Sequence, residues 1–144
     1  MEPSIRQLGA YFNPGSVAIV GATKKINKAG HVIFKNFVEN KRRGVFKGEV
    51  FAVNPNEESV LEVRSYRSVK DVPGKLELVV IVVPARIVPD IMRDSAAKKV
   101  KDVVIISSVF GEIGNHELEA EVKSIGKKSR IRILGPNCLG VFDT

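Results

Sequence analysis

The chain has 144 residues, of which 44% are hydrophobic, and a formal net charge of +7, a size typical of one compact domain with its own core. It contains no run of eighteen apolar residues and no charged-then-apolar leader, so neither a membrane span nor secretion is indicated, and we expect a cytoplasmic protein. A single cysteine, Cys138, and two histidines provide neither an internal disulfide nor zinc-ligand spacing, so we expect one domain over residues 1–144 with no metal site.

Apolar, β-branched runs alternate along the chain with segments that have the 3.6-residue period of a helix. An opening helix is predicted over residues 5–12. Strands are predicted at residues 16–20, 49–53, 76–83, 102–107 and 131–134. Helices are predicted at residues 30–43, 86–99 and 117–128. Between the second and third strands, the weaker pattern favours a short helix at residues 57–62 and a short edge strand at residues 64–66.

The third predicted strand decides how the sheet is covered. Leu78 to Val83 is apolar at six consecutive positions, which a strand tolerates only when both of its faces are buried. Parallel strands with helices on both sides satisfy this condition. The predicted fold class is therefore α/β, with a Rossmann-like, doubly wound parallel sheet of five or six strands.

The positive charge is concentrated in one part of the chain. Between Lys24 and Lys47 there are eight basic residues and one acidic residue, Glu39, whereas acidic and basic residues balance elsewhere. A localised excess fits a small polyanion better than a nucleic-acid duplex, and the 6% aromatic content without tryptophan weighs against single-strand binding. For Lys41 to Arg43 the favoured interpretation is structural, because cations stabilise the end of a helix.

The carboxyl ends of the predicted strands are the places to look for a ligand, because doubly wound sheets bind ligands in the crevice beyond those ends. Small, hydroxyl-bearing and amide residues follow each of the five predicted strands. They are Gly21-Ala22-Thr23, Asn54-Pro55-Asn56, Pro84-Ala85, Ser107-Ser108 and Gly135-Pro136-Asn137-Cys138. Such residues are common in any turn, but their presence at all five ends favours a ligand-binding edge.

The first of these turns has the features of an anion site. The helix after Gly21 presents unpaired N–H groups and the positive end of its dipole, and Thr23 and nearby lysines add further donors. The dinucleotide fingerprint GxGxxG is absent, and so is an acidic residue directly after the second strand, which ends at Val53. The lysine-rich loop favours a ligand with an additional phosphate, such as NADP or coenzyme A.

In this order the strand-end motifs resemble the N-terminal CoA-binding domain of ADP-forming acyl-CoA synthetases, a family of acid–CoA ligases related to the α subunit of succinyl-CoA synthetase. The resemblance covers nearly the whole chain. It depends on FNPGSVA at residues 12–18 leading into VGAT at residues 20–23, on VNPN at residues 53–56, on VPA at residues 83–85, on IISS at residues 105–108 and on GPNCLG at residues 135–140.

The resemblance implies a path for coenzyme A across the strand ends. The phosphates would lie at Gly21, Ala22 and Thr23, with Lys24 and Lys28 near the nucleotide end. Asn54 and Pro55 would border the adenosine. The pantetheine arm would cross Pro84, Ala85, Ser107 and Ser108 and bring the thiol toward Asn137 and Cys138.

Two loops depart from the family pattern. Succinyl-CoA synthetases have a lysine just after the proline of the second-strand loop, where this chain has Asn56 and Glu57. The segment at residues 109–112 reads VFGE where relatives often have GFSE. The family's phosphorylated histidine lies in a later domain, and His31 and His116 are interpreted as solvated residues at helix starts.

The leading hypothesis is that the chain binds coenzyme A or acyl-CoA as the N-terminal domain of an ADP-forming acid–CoA ligase. That reaction converts acyl-CoA, ADP and phosphate to acid, coenzyme A and ATP. The chain contains no ATP-grasp segment, so we expect no catalytic residues and a dependence on the remaining ligase domains or an ATP-grasp subunit. The alternatives are a free-standing CoA-binding protein, an NAD(P)-binding Rossmann domain and a nucleic-acid binder.

Overall fold

The computed structural model describes residues 14–106 and 116–134. This part of the chain contains seven strands: β1 (Ser16–Val20), β2 (Glu49–Val53), β3 (Ser59–Val60), β4 (Val63–Tyr66), β5 (Leu78–Ile81), β6 (Asp102–Ile105) and β7 (Arg132–Leu134). They form one sheet in the order β3-β4-β2-β1-β5-β6-β7. All neighbouring strands are parallel except β3 and β4, which are antiparallel.

Helices cover both faces of the sheet. They are α1 (Ala29–Arg42), α2 (Val88–Ala97) and α3 (His116–Ser129), and none of these described helices is long and apolar enough to cross a bilayer. Phe34 and Val38 of α1 belong to the core cluster on one face of the sheet. Met92 of α2 and Val122 of α3 belong to the cluster on the other face.

The side chains of β5 show why its sequence is continuously apolar. Leu78 and Val80 belong to the core on the α1 face, whereas Val79 and Ile81 belong to the core on the α2 and α3 face. All four are buried, since successive side chains of a strand point to opposite faces. The predicted α/β fold with both faces covered is confirmed.

The segment between β2 and β5 differs from the prediction. The short helix at residues 57–62 is wrong, because β3 runs through this segment and forms a hairpin with β4. Leu61 and Glu62 turn the chain with φ of 50° and 67°. This left-handed two-residue turn is usually marked by Asn-Gly, so Leu-Glu gave no hairpin signal. The strand predicted at residues 64–66 is β4, which lies inside the sheet between β2 and β3 rather than at its edge.

The order of the strands fixes the position of the ligand crevice. From β1 the chain passes through α1 to β2 on one side of β1, and later returns to β5 on the other side. The strand order therefore reverses between β1 and β5, and the crevice of a doubly wound sheet lies beyond the carboxyl ends of those two strands. The turn that begins at Gly21 stands at this point.

Candidate functional site

Two glycines bring the end of β1, the end of β5 and the start of α1 into contact. Gly21 has φ +102°, and a Cβ atom there would lie 2.1 Å from the carbonyl oxygen of Val82. A Cβ atom on Gly30 would lie 2.1 Å from the carbonyl oxygen of Gly21. Both positions therefore require glycine. Gly30 performs the close helix packing that the third glycine of GxGxxG performs in dinucleotide-binding domains, at a different spacing.

The start of α1 is open to an anion. Its N-cap residue, Lys28, makes no side-chain capping hydrogen bond, and the first turn of the helix contains no acidic residue. The first N–H groups of a helix carry partial positive charge, and here no carboxylate on the helix itself neutralises it. The helix start therefore has the positive potential that the predicted anion site requires, and the anion site itself stays a prediction.

Glu57 reaches across from the loop after β2 and occupies the turn after β1. Its Oε2 accepts hydrogen bonds from the Thr23 hydroxyl at 3.2 Å and from the Lys24 backbone N–H at 3.1 Å. The Lys24 Nζ lies 3.9 Å from Glu57 Oε1, and the Glu57 side chain is only 16% exposed. A carboxylate therefore takes the hydrogen bonds that the sequence analysis assigned to a phosphate.

Asn54 ties the loop after β2 to the same turn. Its Nδ2 donates to the carbonyl oxygen of Ala22 at 2.9 Å, and its Oδ1 accepts from the Asn56 backbone N–H at 2.9 Å. Both ends of the Asn54 amide are used within the protein. The structure thus brings Asn54 beside the turn at Gly21 to Thr23, as expected for two strand ends at one sheet edge, while Pro55 is exposed.

His31 is buried beside the turn and forms a hydrogen bond to it, so the prediction of a solvated histidine is wrong. It is 8% exposed, and its Nδ1 lies 2.8 Å from the carbonyl oxygen of Thr23. A carbonyl only accepts, so Nδ1 carries the hydrogen in this contact. His116 is exposed at the start of α3, as predicted.

The basic residues divide between the two ends of α1. Lys24, Lys25 and Lys28 are exposed beside the turn, whereas Lys41 and Arg42 lie in the last turn of the helix, about 20 Å away. The Lys41 Nζ donates to the carbonyl oxygen of Gly48 at 2.7 Å. Lys41 and Arg42 thus lie where cations stabilise the end of a helix, as their structural interpretation expects, and a ligand role for Lys24 and Lys28 stays a prediction.

A groove of about 500 Å³ lies on the outer side of the loop after β2. Its lining includes Pro55, Glu57, Arg64, Tyr66 and Arg67. The Arg64 guanidinium lies 5.0 Å from the centroid of the Tyr66 ring. Glu57 therefore borders both the turn after β1 and a groove that is lined by residues of both charges, since Glu58 and Asp71 also line it.

Comparison with known protein families identifies the family of this chain. A family model described as "CoA binding domain" matches residues 15–144. The chain belongs to the CoA-binding domain family.

Curated relatives of this CoA-binding domain are longer ligases. The chain is 43% identical over 131 residues to an ADP-forming acetate–CoA ligase of Methanocaldococcus jannaschii, covering 91% of this chain and 18% of that protein. It is 40% identical to the α subunit of ADP-forming acetate–CoA ligase II of Pyrococcus furiosus, covering 95% of this chain and 29% of that subunit. The chain thus spans less than a third of the length of these relatives and is homologous to their CoA-binding part.

Solved structures agree with this assignment. The dinucleotide-forming acetyl-coenzyme A synthetase 1 of Ca. Korarchaeum cryptofilum, in complex with phosphate and ADP, superposes with a TM-score of 0.82 at 38% identity. The match covers 90% of this chain and 27% of that one. A protein of Thermus thermophilus with 20% identity and a TM-score of 0.68 matches over 96% of both chains and shows the same fold.

The structure brings only some of the predicted site residues of this CoA-binding domain together. Gly21 to Lys24, Lys28, Asn54 and Pro55 surround one turn. In the segment after β5, Pro84 is exposed and its carbonyl oxygen accepts from the Ile87 backbone N–H at 3.0 Å, while Ala85 is buried. Four further predicted residues lie outside the described part of the chain: Ser107, Ser108, Asn137 and Cys138.

Glu57 and His31 are contributors to the turn that sequence reasoning missed. For Glu57 the available signal was an acid in the loop after β2, a few residues beyond the place where dinucleotide-binding domains carry one. For His31 the signal was its position next to Gly30, on the face of α1 that packs against the turn.

Proposed function

We propose that this chain binds coenzyme A or acyl-CoA, with the phosphates at the turn formed by Gly21, Ala22 and Thr23. The observation that carries the proposal is the contact of this turn with the uncapped start of α1, enforced by Gly21 and Gly30, in a chain that belongs to the CoA-binding domain family. Backbone N–H groups at a helix start and nearby lysines are suited to a diphosphate.

The rest of the ligand follows the carboxyl edge of the sheet. Lys24 and Lys28 meet the nucleotide end, and Asn54 and Pro55 border the adenosine. The pantetheine arm passes Pro84 and Ala85, which follow β5, then Ser107 and Ser108. It ends with its thiol near Asn137 and Cys138. The contact of Gly21 with Val82 supports this path, because it brings the edge of β5 directly beside the phosphate turn.

We further propose that the chain acts as one domain, over residues 1–144, of an ADP-forming acid–CoA ligase in the cytoplasm. The names of its relatives support this, because they are ADP-forming ligases of acetate or 4-hydroxybutyrate. In that reaction acyl-CoA, ADP and phosphate give acid, coenzyme A and ATP. This chain holds the CoA moiety, and the steps that involve ADP belong to further ligase domains or a partner subunit with an ATP-grasp fold.

Calorimetric titration with coenzyme A, dephospho-CoA, NAD and NADP in parallel tests the proposed ligand. We expect saturable binding of coenzyme A, weaker binding of dephospho-CoA, which lacks the 3′-phosphate near Lys24 and Lys28, and no binding of NAD. Absence of coenzyme A binding would overturn the proposal. Equal affinities for coenzyme A and dephospho-CoA would overturn the assignment of the extra phosphate to the lysines.

A second candidate is an NAD(P)-binding domain, and the position of Glu57 favours it. Dinucleotide-binding domains present an acidic side chain from the loop after the second strand to a ribose hydroxyl, and Glu57 reaches the phosphate turn from that loop. The same titration separates the two candidates, because binding of NADP without binding of coenzyme A would select this one.

A further inference from the structure

We propose that Glu57 is an internal competitor of the ligand phosphates and lowers the affinity of the site for coenzyme A. This inference rests on the proposed function, since it concerns the same turn. It assigns to Glu57 control over how tightly the ligand is held, in a loop where the sequence departs from the succinyl-CoA synthetase pattern.

The contacts of Glu57 are those of a bound anion. One carboxylate oxygen accepts both the Lys24 backbone N–H and the Thr23 hydroxyl, and the other faces the Lys24 ammonium group. A phosphate oxygen requires the same donors and the same positive charge. The Thr23 hydroxyl has one hydrogen, so a phosphate cannot receive its hydrogen bond while Glu57 holds it.

The backbone holds Glu57 in position for this competition. The Glu57 N–H donates to the Asn54 carbonyl oxygen at 3.2 Å, and the Asn54 side chain is anchored to Ala22 in the phosphate turn. The carboxylate is therefore tethered a few ångströms from its donors, and a tethered group competes at a high effective concentration. A ligand must displace it. The observed affinity for the ligand is therefore the affinity of the open turn multiplied by the fraction of molecules in which Glu57 has left the turn.

The groove beside the loop provides a place for the displaced side chain. Glu57 lines this groove together with Arg64 and Arg67, whose guanidinium groups are donors for a carboxylate. Rotation of the Glu57 side chain away from Thr23 moves the carboxylate into this open groove, which Glu58 and Asp71 also line, so we expect its charge to be solvated there. The competition is reversible because the carboxylate remains solvated or paired in both positions.

Glu58 provides a matched control. It is adjacent to Glu57, lines the same groove and is exposed, and its backbone carbonyl rather than its side chain holds the loop, by accepting from the Ser65 N–H at 2.9 Å. Glu57→Gln and Glu58→Gln remove the same charge from the same loop. Only the first removes the negative charge at Thr23 and Lys24.

The test is titration of coenzyme A into the wild type and the two variants at one salt concentration. We expect Glu57→Gln to bind coenzyme A about tenfold more tightly than the wild type, and Glu58→Gln to bind within about twofold of it. Unchanged or weaker binding by Glu57→Gln would overturn the inference, and so would an equal gain in both variants, which would indicate a general charge effect.

Glu57→Asp and inorganic pyrophosphate provide two further tests of the competition. Glu57→Asp retains the charge but is one methylene shorter, so we expect it also to bind coenzyme A more tightly than the wild type. If no protein binds coenzyme A, the proposed function fails, and inorganic pyrophosphate then tests Glu57 alone. Tighter binding of pyrophosphate by Glu57→Gln supports the competition, and no gain overturns it.

Discussion

The two edges of the sheet each contain a carboxylate that accepts a backbone N–H, but their surroundings differ. At the amino edge Glu77 accepts from Gly15 at 2.9 Å, beside Ser16, whose hydroxyl donates to the carbonyl oxygen of Lys75. At the carboxyl edge Glu57 accepts from Lys24, beside exposed lysines and an uncapped helix start. The same contact closes a loop at one edge and occupies the proposed phosphate position at the other.

This comparison shows that a hydrogen-bonded carboxylate does not by itself identify a site. What distinguishes the carboxyl edge is positive potential, provided by the uncapped start of α1 and by the exposed side chains of Lys24 and Lys28. It also lies at the reversal of strand order, where doubly wound sheets bind ligands. Glu57 is therefore expected to affect ligand affinity, and Glu77 is expected to affect stability.

The largest expected effect is at Gly21. Gly21→Ala places a Cβ atom against the Val82 carbonyl and forces alanine to adopt φ +102°, so we expect the free energy of unfolding to fall by about 3 kcal/mol or more. Gly44→Ala is the control, because Gly44 has φ +77° with no atom near its would-be Cβ, and we expect a loss of about 1 kcal/mol. Denaturant unfolding measures both, and equal losses would contradict the close approach of β5 to the turn.

The next effect is at His31. His31→Ala removes a buried ring and the donor to the Thr23 carbonyl, so we expect a loss of about 2 kcal/mol in unfolding free energy and about tenfold weaker binding of coenzyme A. His116→Ala changes an exposed histidine at the start of α3 and should alter neither quantity. Parallel unfolding and calorimetry test this, and a coenzyme A affinity unchanged by His31→Ala would show that the turn does not depend on this support.

Asn54→Asp should have a smaller effect. Aspartate cannot donate to the Ala22 carbonyl, so we expect unfolding free energy to fall by about 1 kcal/mol and coenzyme A to bind more weakly. Asn56→Asp introduces the same charge at the exposed neighbouring position, where the backbone N–H rather than the side chain is bonded. Equal losses of affinity in both variants would assign the effect to charge alone.

The smallest effect is expected at Glu77, and it tests the comparison between the two edges. Glu77→Gln retains an acceptor oxygen for the Gly15 N–H, so we expect a loss of less than about 1 kcal/mol in stability and no change in coenzyme A affinity. A gain in affinity as large as that of Glu57→Gln would contradict the distinction between the edges.

The sequence was sufficient for the parts of the fold that depend on local pattern. β1 and β2 have their predicted bounds, and α1 begins and ends one residue before its prediction, because apolar periodicity and burial agree there. The β3 and β4 hairpin was missed because its turn uses Leu61 and Glu62 in a conformation that glycine or asparagine normally signals. Propensity alone does not reveal such a turn.

The location of the candidate site could be predicted from the sequence, but its side-chain contacts could not. Strand ends identified Gly21 and Asn54 as neighbours, since the carboxyl ends of parallel strands share one edge. The Glu57 contact joins residues more than thirty positions apart through a side chain, and local pattern carries no information about it.

Backbone amide chemical shifts, followed by NMR during addition of coenzyme A, test whether the ligand binds at the turn after β1. We expect saturable shifts that are largest at residues 21–24 and at the start of α1, with smaller shifts at Asn54 and little change at Gly15 and Glu77. Shifts concentrated at the amino edge, or no saturable shifts at residues 21–24, would contradict it.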